Sequence, residues 1–489
     1  MRRRRCDRRP RVLACEMMAA ALLAAALLAG CGGSSGGGAS GGGAAEAKVT
    51  ISSVTHYQRI AGFGVSEGFG QAKTVMNAPA PVQQQVLSLL YSPTRGAGLT
   101  ILRNEISADA GFTIEPRAPS SPTGKPSYLT LAQVDQDQGQ LWFAQRIRAD
   151  YGASVFADAW SAPAFMKTND SAINGGTVCG VPGASCQSGD WRQAYANYLV
   201  QYAKDYAAAG VPLSYVGPEN ETTMAVSQDS MIMSPAQTAN FMGILGATLA
   251  RSGLSTRAEC CASTGWNDAQ QFAAAIETDK AANTATALYT SHGYFVAPDS
   301  PLKGWSKPVW QTEWAPFGTN PWDPAWDDGS PSSGFTWARN IYTGLTAANL
   351  SAFLYLWGAS TTGPTGPNTG LVEVKGNTVD TSGRLWAFAS YSRFVRPGAV
   401  RIAATTTDAG LDVAAFRNSD GSAAVIVLNS AHSRQVAAFS LHGLSGAHVT
   451  PYLTDTSHGL SARSPITVRN SGFTATLPPR SLVTYEIRS

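Results

Sequence analysis

Histidine is scarce in this chain: there are six in 489 residues, and only His56 and His292 precede residue 400. Neither lies beside a cysteine pair at ligand spacing, so a Cys/His zinc site lacks its donors and no metal is expected. Cysteine is nearly as sparse, at seven. Beyond Cys31 only Cys179, Cys186, Cys260 and Cys261 remain, too few to staple a chain of this length as a disulfide scaffold. In an oxidising compartment Cys179 and Cys186 are spaced to close a small loop; Cys260 and Cys261 read either as a vicinal disulfide or as buried thiols. Charged residues make up 14% of the chain against 44% apolar, which excludes a disordered polyelectrolyte. The formal charge of +3 comes from seven arginines between Arg2 and Arg11, opposed there by Asp7 and Glu16. The rest is slightly acidic and offers no footprint for nucleic acid. Long apolar runs are lacking too: Met17 to Ala29 is 13 residues, short of a bilayer span.

That run belongs to a targeting segment, residues 1–31, in which the arginines come first and the apolar stretch follows. It ends in Leu28-Ala29-Gly30-Cys31, which resembles a bacterial lipobox. The resemblance implies cleavage before Cys31 and lipid attachment to its sulfur. Residues 32–47 form a Gly/Ser-rich tether. Anchor, tether and body together describe an exported protein held at the cell envelope, periplasmic or on the surface.

From 59 to 398, short apolar runs alternate with helical patterns. Strands are expected at 60–66, 99–104, 155–160, 213–219, 257–264, 287–294, 308–314 and 352–358. In the helix at 191–209, Tyr195, Tyr198, Tyr202 and Tyr206 recur on one face and read as core rather than as sugar platforms. Eight strands interleaved with helices over about 340 residues predict an α/β fold, a (β/α)8 TIM barrel. After Pro397-Gly398 the pattern is strands alone, so 399–489 is assigned to a C-terminal side β-sandwich. Residues 48–58 read as an N-terminal strand joining that β-domain. No internal repeat is visible.

Barrel enzymes carry their chemistry at the C-terminal ends of strands. Asn220-Glu221 ends the fourth expected strand, and Glu313 ends the seventh within Trp310-Gln311-Thr312-Glu313-Trp314. The two glutamates are 92 residues apart, about three βα units at roughly 30 residues each. Strands four and seven face one another across a barrel mouth, so two carboxyl groups there can flank one glycosidic oxygen. The bland reading of either glutamate alone is a structural carboxylate paired with an arginine such as Arg103. A competing motif, Gly64-Val65-Ser66-Glu67-Gly68, matches the nucleophile elbow of esterases. That reading needs a helix at once after the serine, and none is expected before about Val82.

Taken in order, several stretches resemble glycoside hydrolase family 30: Gly62-Phe63-Gly64-Val65-Ser66-Glu67, Leu102-Arg103-Asn104, Trp160-Ser161-Ala162-Pro163, Asn220-Glu221, His292-Gly293-Tyr294, Glu313-Trp314 and Ser392-Arg393-Phe394-Val395-Arg396-Pro397-Gly398. They cover nearly all of 50–489. The resemblance implies a retaining hydrolase with Glu221 as acid/base and Glu313 as nucleophile, and with no metal or organic cofactor. It implies Arg103 and Tyr294 beside the nucleophile, Asn220 on the sugar 2-hydroxyl, and Trp160, His292 and Trp357 around the bound sugar; plain barrel core is the other reading of Trp357. Within the family, Cys179 to Cys186 and Gly189-Asp190-Trp191 are similar to the fungal-type xylanase subfamily. That similarity implies β-1,4-xylan as the partner, a monomer, and endo or disaccharide-releasing action. Two departures stand out. Gln71 occupies a position where glucuronoxylan-specific relatives carry arginine, which puts strict dependence on glucuronate branches in question. Glu219 precedes Asn220, so two acids compete for the acid/base role; the Asn-Glu pair favours Glu221. Rival readings are a family member acting on β-1,6-galactan or β-glucosides, a surface glycan binder without activity, and an esterase acting through Ser66.

Overall fold

A computed structural model describes residues 46–316, 322–361 and 369–488. The targeting segment with Cys31, and most of the tether, lie outside the described residues. Among the described residues strand β1 (Ala47–Arg59) comes first and the closed barrel follows. Its eight parallel strands are β2 (Gly62–Ser66), β3 (Ile101–Ile106), β4 (Ser154–Ala159), β5 (Tyr215–Gly217), β6 (Arg257–Ser263), β7 (Thr286–His292), β8 (Val309–Glu313) and β9 (Ala352–Trp357). Residues two apart on a strand share a face, so each strand points alternate side chains into the barrel. Ile101, Phe156, Leu288, Trp310 and Leu354 form one apolar plug, with the Phe156 ring set edge-on to Trp310 at 5.7 Å. One step up the same strands the inward side chains turn polar: Arg103 follows Ile101, Asp158 follows Phe156 and Thr290 follows Leu288. The plug thus forms a dry floor and the polar layer above it faces the mouth, where barrel enzymes place their chemistry.

The fourth barrel strand is shorter than its apolar pattern predicts. It stops at Gly217 because Pro218 has no N–H to continue the ladder. Glu221 therefore sits in the turn beyond β5 rather than at the strand end. A second difference follows β2. The helix Gln71–Asn77 starts there directly, although it buries only Ala72 and Val75 and so leaves little periodicity to read. The helix that an elbow serine requires is thus present, but Ser66 is buried within its strand and its hydroxyl donates to the Arg103 carbonyl.

The tyrosine stripe of helix Arg192–Ala208 is buried core. Each hydroxyl finds an acceptor, as burial demands. Tyr202 and Tyr206 both donate to Asp137, Tyr198 donates to the Ser107 carbonyl, and Tyr195 donates to the Pro218 carbonyl at 2.6 Å. The last bond ties the helix to the turn that carries Glu221.

Beyond the barrel, β10 (Ala359–Thr361), β11 (Val372–Lys375) and β12 (Thr378–Thr381) form a small sheet. The remaining strands are β13 (Val400–Thr406), β14 (Leu411–Arg417), β15 (Ala423–Asn429), β16 (Gln435–His442), β17 (His448–Asp455), β18 (His458–Ala462), β19 (Ile466–Thr467), β20 (Gly472–Leu477) and β21 (Ser481–Arg488). They share one hydrogen-bonded sheet with β1, which lies antiparallel to β13 and parallel to β16. Val49 and Ile51 of β1 sit in its core with Val425, Val427, Phe439 and Tyr485. The first and last parts of the chain are thereby joined. At the seam Arg396 donates to the Gly98 carbonyl at 2.6 Å, and Arg480 pairs with Asp327 and covers the Phe335 ring.

Candidate active site

One guanidinium organises the barrel mouth. Arg103, on β3, is fully buried. Its Nε donates to Asp158 of β4 at 2.5 Å, Nη1 to Oε2 of Glu313 at 2.5 Å, and Nη2 to Oδ1 of Asn220 at 2.7 Å. The Trp160 ring lies against its face, 4.5 Å to the centroid. An arginine can be buried only with compensation of this kind: two carboxylates and an amide oxygen engage all three of its nitrogens, and a π face covers the plane of the fork.

Glu313 is the last residue of β8. While Oε2 takes Arg103, Oε1 accepts from the Tyr294 hydroxyl at 3.0 Å. Glu221 reaches the same space from the other side. Its backbone is left-handed (φ 49), a conformation a non-glycine residue holds only when its surroundings impose it. Here its N–H donates to the Ala262 carbonyl at 2.9 Å. Its carboxyl meets Nδ1 of His292 at 2.9 Å, and Nε2 of the same ring lies 3.8 Å from Oε2 of Glu313. Oxygens of Glu221 and Glu313 and a nitrogen of His292 lie within 4.8 Å of one another.

The two carboxyl groups are driven apart electrostatically. Burial holds Glu221 well above the usual carboxylate range, and the charge of Glu313 adds to that, with Arg103 opposing. Burial also raises Glu313, but there the charge of Arg103 and the bonds from Arg103 and Tyr294 stabilise the anion. The result is one acid that keeps its proton beside one that releases it more readily. His292, fully buried and near Arg103, is pushed well below its ordinary value and is neutral. A neutral ring carries one N–H. Placed on Nε2 it faces Glu313 at 3.8 Å, too far for a hydrogen bond, and leaves Nδ1 free to accept from the protonated Glu221 at 2.9 Å.

Glu221, Glu313, Arg103, Asn220, His292, Tyr294 and Trp160 thus share one cluster. Trp357 ends β9 at the mouth and is buried. Gln71 stands apart at the start of its helix, two residues after the half-exposed Phe69, whose ring meets Trp160 edge-on at 5.4 Å. Lys73, which could have replaced a missing arginine, is paired with Asp135. Glu219 points elsewhere: its carboxyl accepts from Thr238 at 2.7 Å. Cys179 is bonded to Cys186, and Cys260 to Cys261. The disulfide leaves no thiolate for a metal beside Glu219. The donor set Glu221, His292 and Glu313 has the chemistry to hold a cation, yet both oxygens of Glu313 are already engaged and Arg103 brings a positive charge to one of them. Sequence reasoning missed Asp158, Phe69 and Phe295. Asp158 had a signal, a charge inside the buried run Val155–Ala159. Phe295 is 80% exposed, with φ 58, directly after Tyr294.

Comparison with known proteins agrees with this geometry. The description "O-Glycosyl hydrolase family 30" matches residues 46–301, and "Glycosyl hydrolase family 30 beta sandwich domain" matches 398–485. Among solved structures, the chain is similar to the catalytic domain of GH30 xylanase C from Talaromyces cellulolyticus, with a TM-score of 0.85 and 42% identity over 90% of this chain and 100% of that one. A glucuronoxylanase of Bacillus subtilis is 24% identical over 72% of this chain and 79% of its own. An endo-1,6-beta-D-glucanase of Neurospora crassa is 23% identical over 76% and 79%. With both family descriptions matched in order along one chain, this protein belongs to glycoside hydrolase family 30.

Proposed function

We propose that the protein is a retaining β-1,4-xylanase working by double displacement. The observation that carries the mechanism is the close approach of the two carboxyl groups, one oxygen of Glu221 lying within 4.8 Å of one oxygen of Glu313. Retaining enzymes hold their carboxyl groups about 5–5.5 Å apart, whereas inverting ones need about 6.5–9.5 Å to admit a water. Support for xylan comes from the 42% identity to a xylanase over nearly the whole chain. Glu313, kept anionic by Arg103 and Tyr294, attacks the anomeric carbon. Glu221 delivers its proton to the departing glycosidic oxygen, with His292 orienting the carboxyl. In the second step Glu221 takes a proton from water, which displaces Glu313 and restores the original configuration. Asn220, its oxygen committed to Arg103, offers its amide hydrogens to the 2-hydroxyl, a bond that strengthens as charge grows on the ring. Exposed Phe69 and Phe295 supply apolar faces on which further sugars stack.

A polysaccharide panel tests the substrate. Xylan should be cleaved fastest, with products of retained configuration by proton NMR. Preference for β-1,6-glucan, the substrate named for the Neurospora relative, would replace the xylanase reading, and early release of the inverted anomer would overturn the mechanism.

Gln71 sets a second expectation. A charge-assisted bond contributes roughly 1.5–3 kcal/mol and a neutral one about 1. Replacing arginine by glutamine thus removes about tenfold of discrimination for a glucuronate branch. The enzyme should accept unbranched xylo-oligosaccharides readily, and Gln71→Arg should move the ratio of kcat/KM towards branched ones. A wild-type ratio of about a hundredfold in favour of branches would mean that another group supplies the lost charge.

We also propose attachment to the envelope through Cys31. Cys31→Ala should move the enzyme out of the membrane fraction; unchanged partitioning would refute the anchor.

A further inference from the structure

Beneath the reacting pair lies a carboxyl group that the mechanism does not use. Glu259, on β6, is fully buried. Its Oε2 accepts from the Thr290 hydroxyl, which in turn accepts from the Ala262 N–H at 2.8 Å. Ala262 is the residue whose carbonyl takes the Glu221 N–H. Its other oxygen, Oε1, converges with Oδ1 of Asp158 over Gly217: a Cβ at Gly217 would collide with both oxygens, and neither has another hydrogen-bond partner. Two anionic carboxylates cannot face one another in a buried place with no donor between them, so one proton must lie there. Asp158 already serves Arg103 through Oδ2; the proton belongs on Glu259, which burial and Asp158 push strongly upward.

We infer that Glu259 is a positioning residue for both active-site glutamates: its carboxyl, bonded through a proton to Asp158, fixes Arg103 against Glu313 on one side and, through Thr290 and Ala262, fixes the backbone of Glu221 on the other. The inference rests on the double-displacement reading but not on the identity of the glycan. The chain of contacts is continuous: Glu313, Arg103, Asp158, Glu259, Thr290, Ala262, Glu221. It explains how Glu221 keeps a left-handed backbone in a turn that Pro218 has cut loose from the sheet. The titratable and charged groups that interact with Glu259 are Asp158 of β4, which pushes its carboxyl up, Arg103 of β3, which pulls it down, and the buried Tyr289 hydroxyl of β7. The charge next to Glu259 is therefore that of Asp158 and Arg103.

The test uses the whole enzyme and the glycan that wild type cleaves fastest, alongside a nitrophenyl glycoside of the same sugar, so a wrong choice of glycan leaves it intact. Glu259→Gln reproduces the protonated acid, one oxygen for Thr290 and one N–H for Asp158. It should stay within about threefold of wild type with an unmoved pH profile. Glu259→Leu strips the bonds from Asp158 and Thr290 and should lower kcat about thirtyfold or more on both substrates, with KM little changed. Thr290→Val cuts only the branch to Glu221. It should cost about tenfold on the glycan and much less on the nitrophenyl substrate, and should move the basic limb of the pH profile downward. Three results would each overturn the assignment: Glu259→Leu within about threefold of wild type, Glu259→Gln as impaired as Glu259→Leu, or Thr290→Val losing equally on both substrates. If Glu259→Leu does not fold, the other two variants decide.

Discussion

Glu313→Gln should abolish turnover, with a loss on the order of ten-thousandfold or more, while the protein still folds and binds xylan. An amide has the volume of a carboxylate but no anionic oxygen to attack the anomeric carbon. The amide oxygen can still accept from Arg103 while the NH2 donates to the Tyr294 hydroxyl, which can accept, and Arg103 keeps Asp158, so the cluster survives with one charge fewer. That missing charge has its own consequence. Glu313 is one of the causes that hold Glu221 high, so in the variant Glu221 should ionise at lower pH, a shift readable by carbon NMR of the carboxyl. Glu313→Ala adds a check on configuration. With the nucleophile gone, azide can occupy its place and attack an activated glycoside from the same face, giving a product of inverted configuration. Near-normal hydrolysis by Glu313→Gln would remove Glu313 from the mechanism. An unmoved Glu221 would show that the two carboxyl groups do not sense one another.

Much of this site is legible from strand ends. Glu313 ends β8 inside a tryptophan-rich apolar run, where an unpaired charge would be expensive, so its purpose shows in the pattern. Asn220-Glu221 shows through the same logic, although the strand before it is cut to three residues by Pro218 and the turn is held by contacts distant in sequence. What does not show is register. Asp158 and Glu259 look like blemishes in buried strands until the barrel closes and sets both over Gly217. No local pattern encodes that meeting, because it depends on the stagger of β4, β5 and β6. The helix Gln71–Asn77 is hidden for a different reason: two buried residues in seven are too few for a period. Cys260 and Cys261 are ambiguous from spacing alone, since adjacent cysteines serve as thiols or as a bonded pair; the structure joins them. The tyrosine stripe reads correctly because four turns of one helix repeat the same signal. Its second role, Tyr195 holding the Pro218 carbonyl, belongs to tertiary structure.

Glu221→Ala should divide substrates by their leaving groups. On xylan the departing sugar hydroxyl is a poor leaving group and needs its proton as the bond breaks, so kcat should fall by about a hundredfold to ten-thousandfold. On a nitrophenyl xylobioside the leaving group departs as an anion without help. The first step should then keep most of its rate, and the glycosyl-enzyme should accumulate because water is no longer activated to remove it. The expected signature is a burst of nitrophenol followed by a slow steady state, with azide relieving the second step and giving a product of retained configuration. The pH profile follows from the same two groups. Wild-type kcat/KM should fall as pH drops through the ionisation of Glu313 and fall again as pH rises through that of Glu221, which burial and the neighbouring charge hold high. Loss of the acid should erase the upper limb on the nitrophenyl substrate and leave the lower one, since Glu313 must still be ionised to attack. His292, pushed well below its ordinary value by burial, stays neutral through the upper limb. Equal losses on xylan and on the nitrophenyl substrate, or an upper limb that persists in Glu221→Ala, would take the acid/base role away from Glu221.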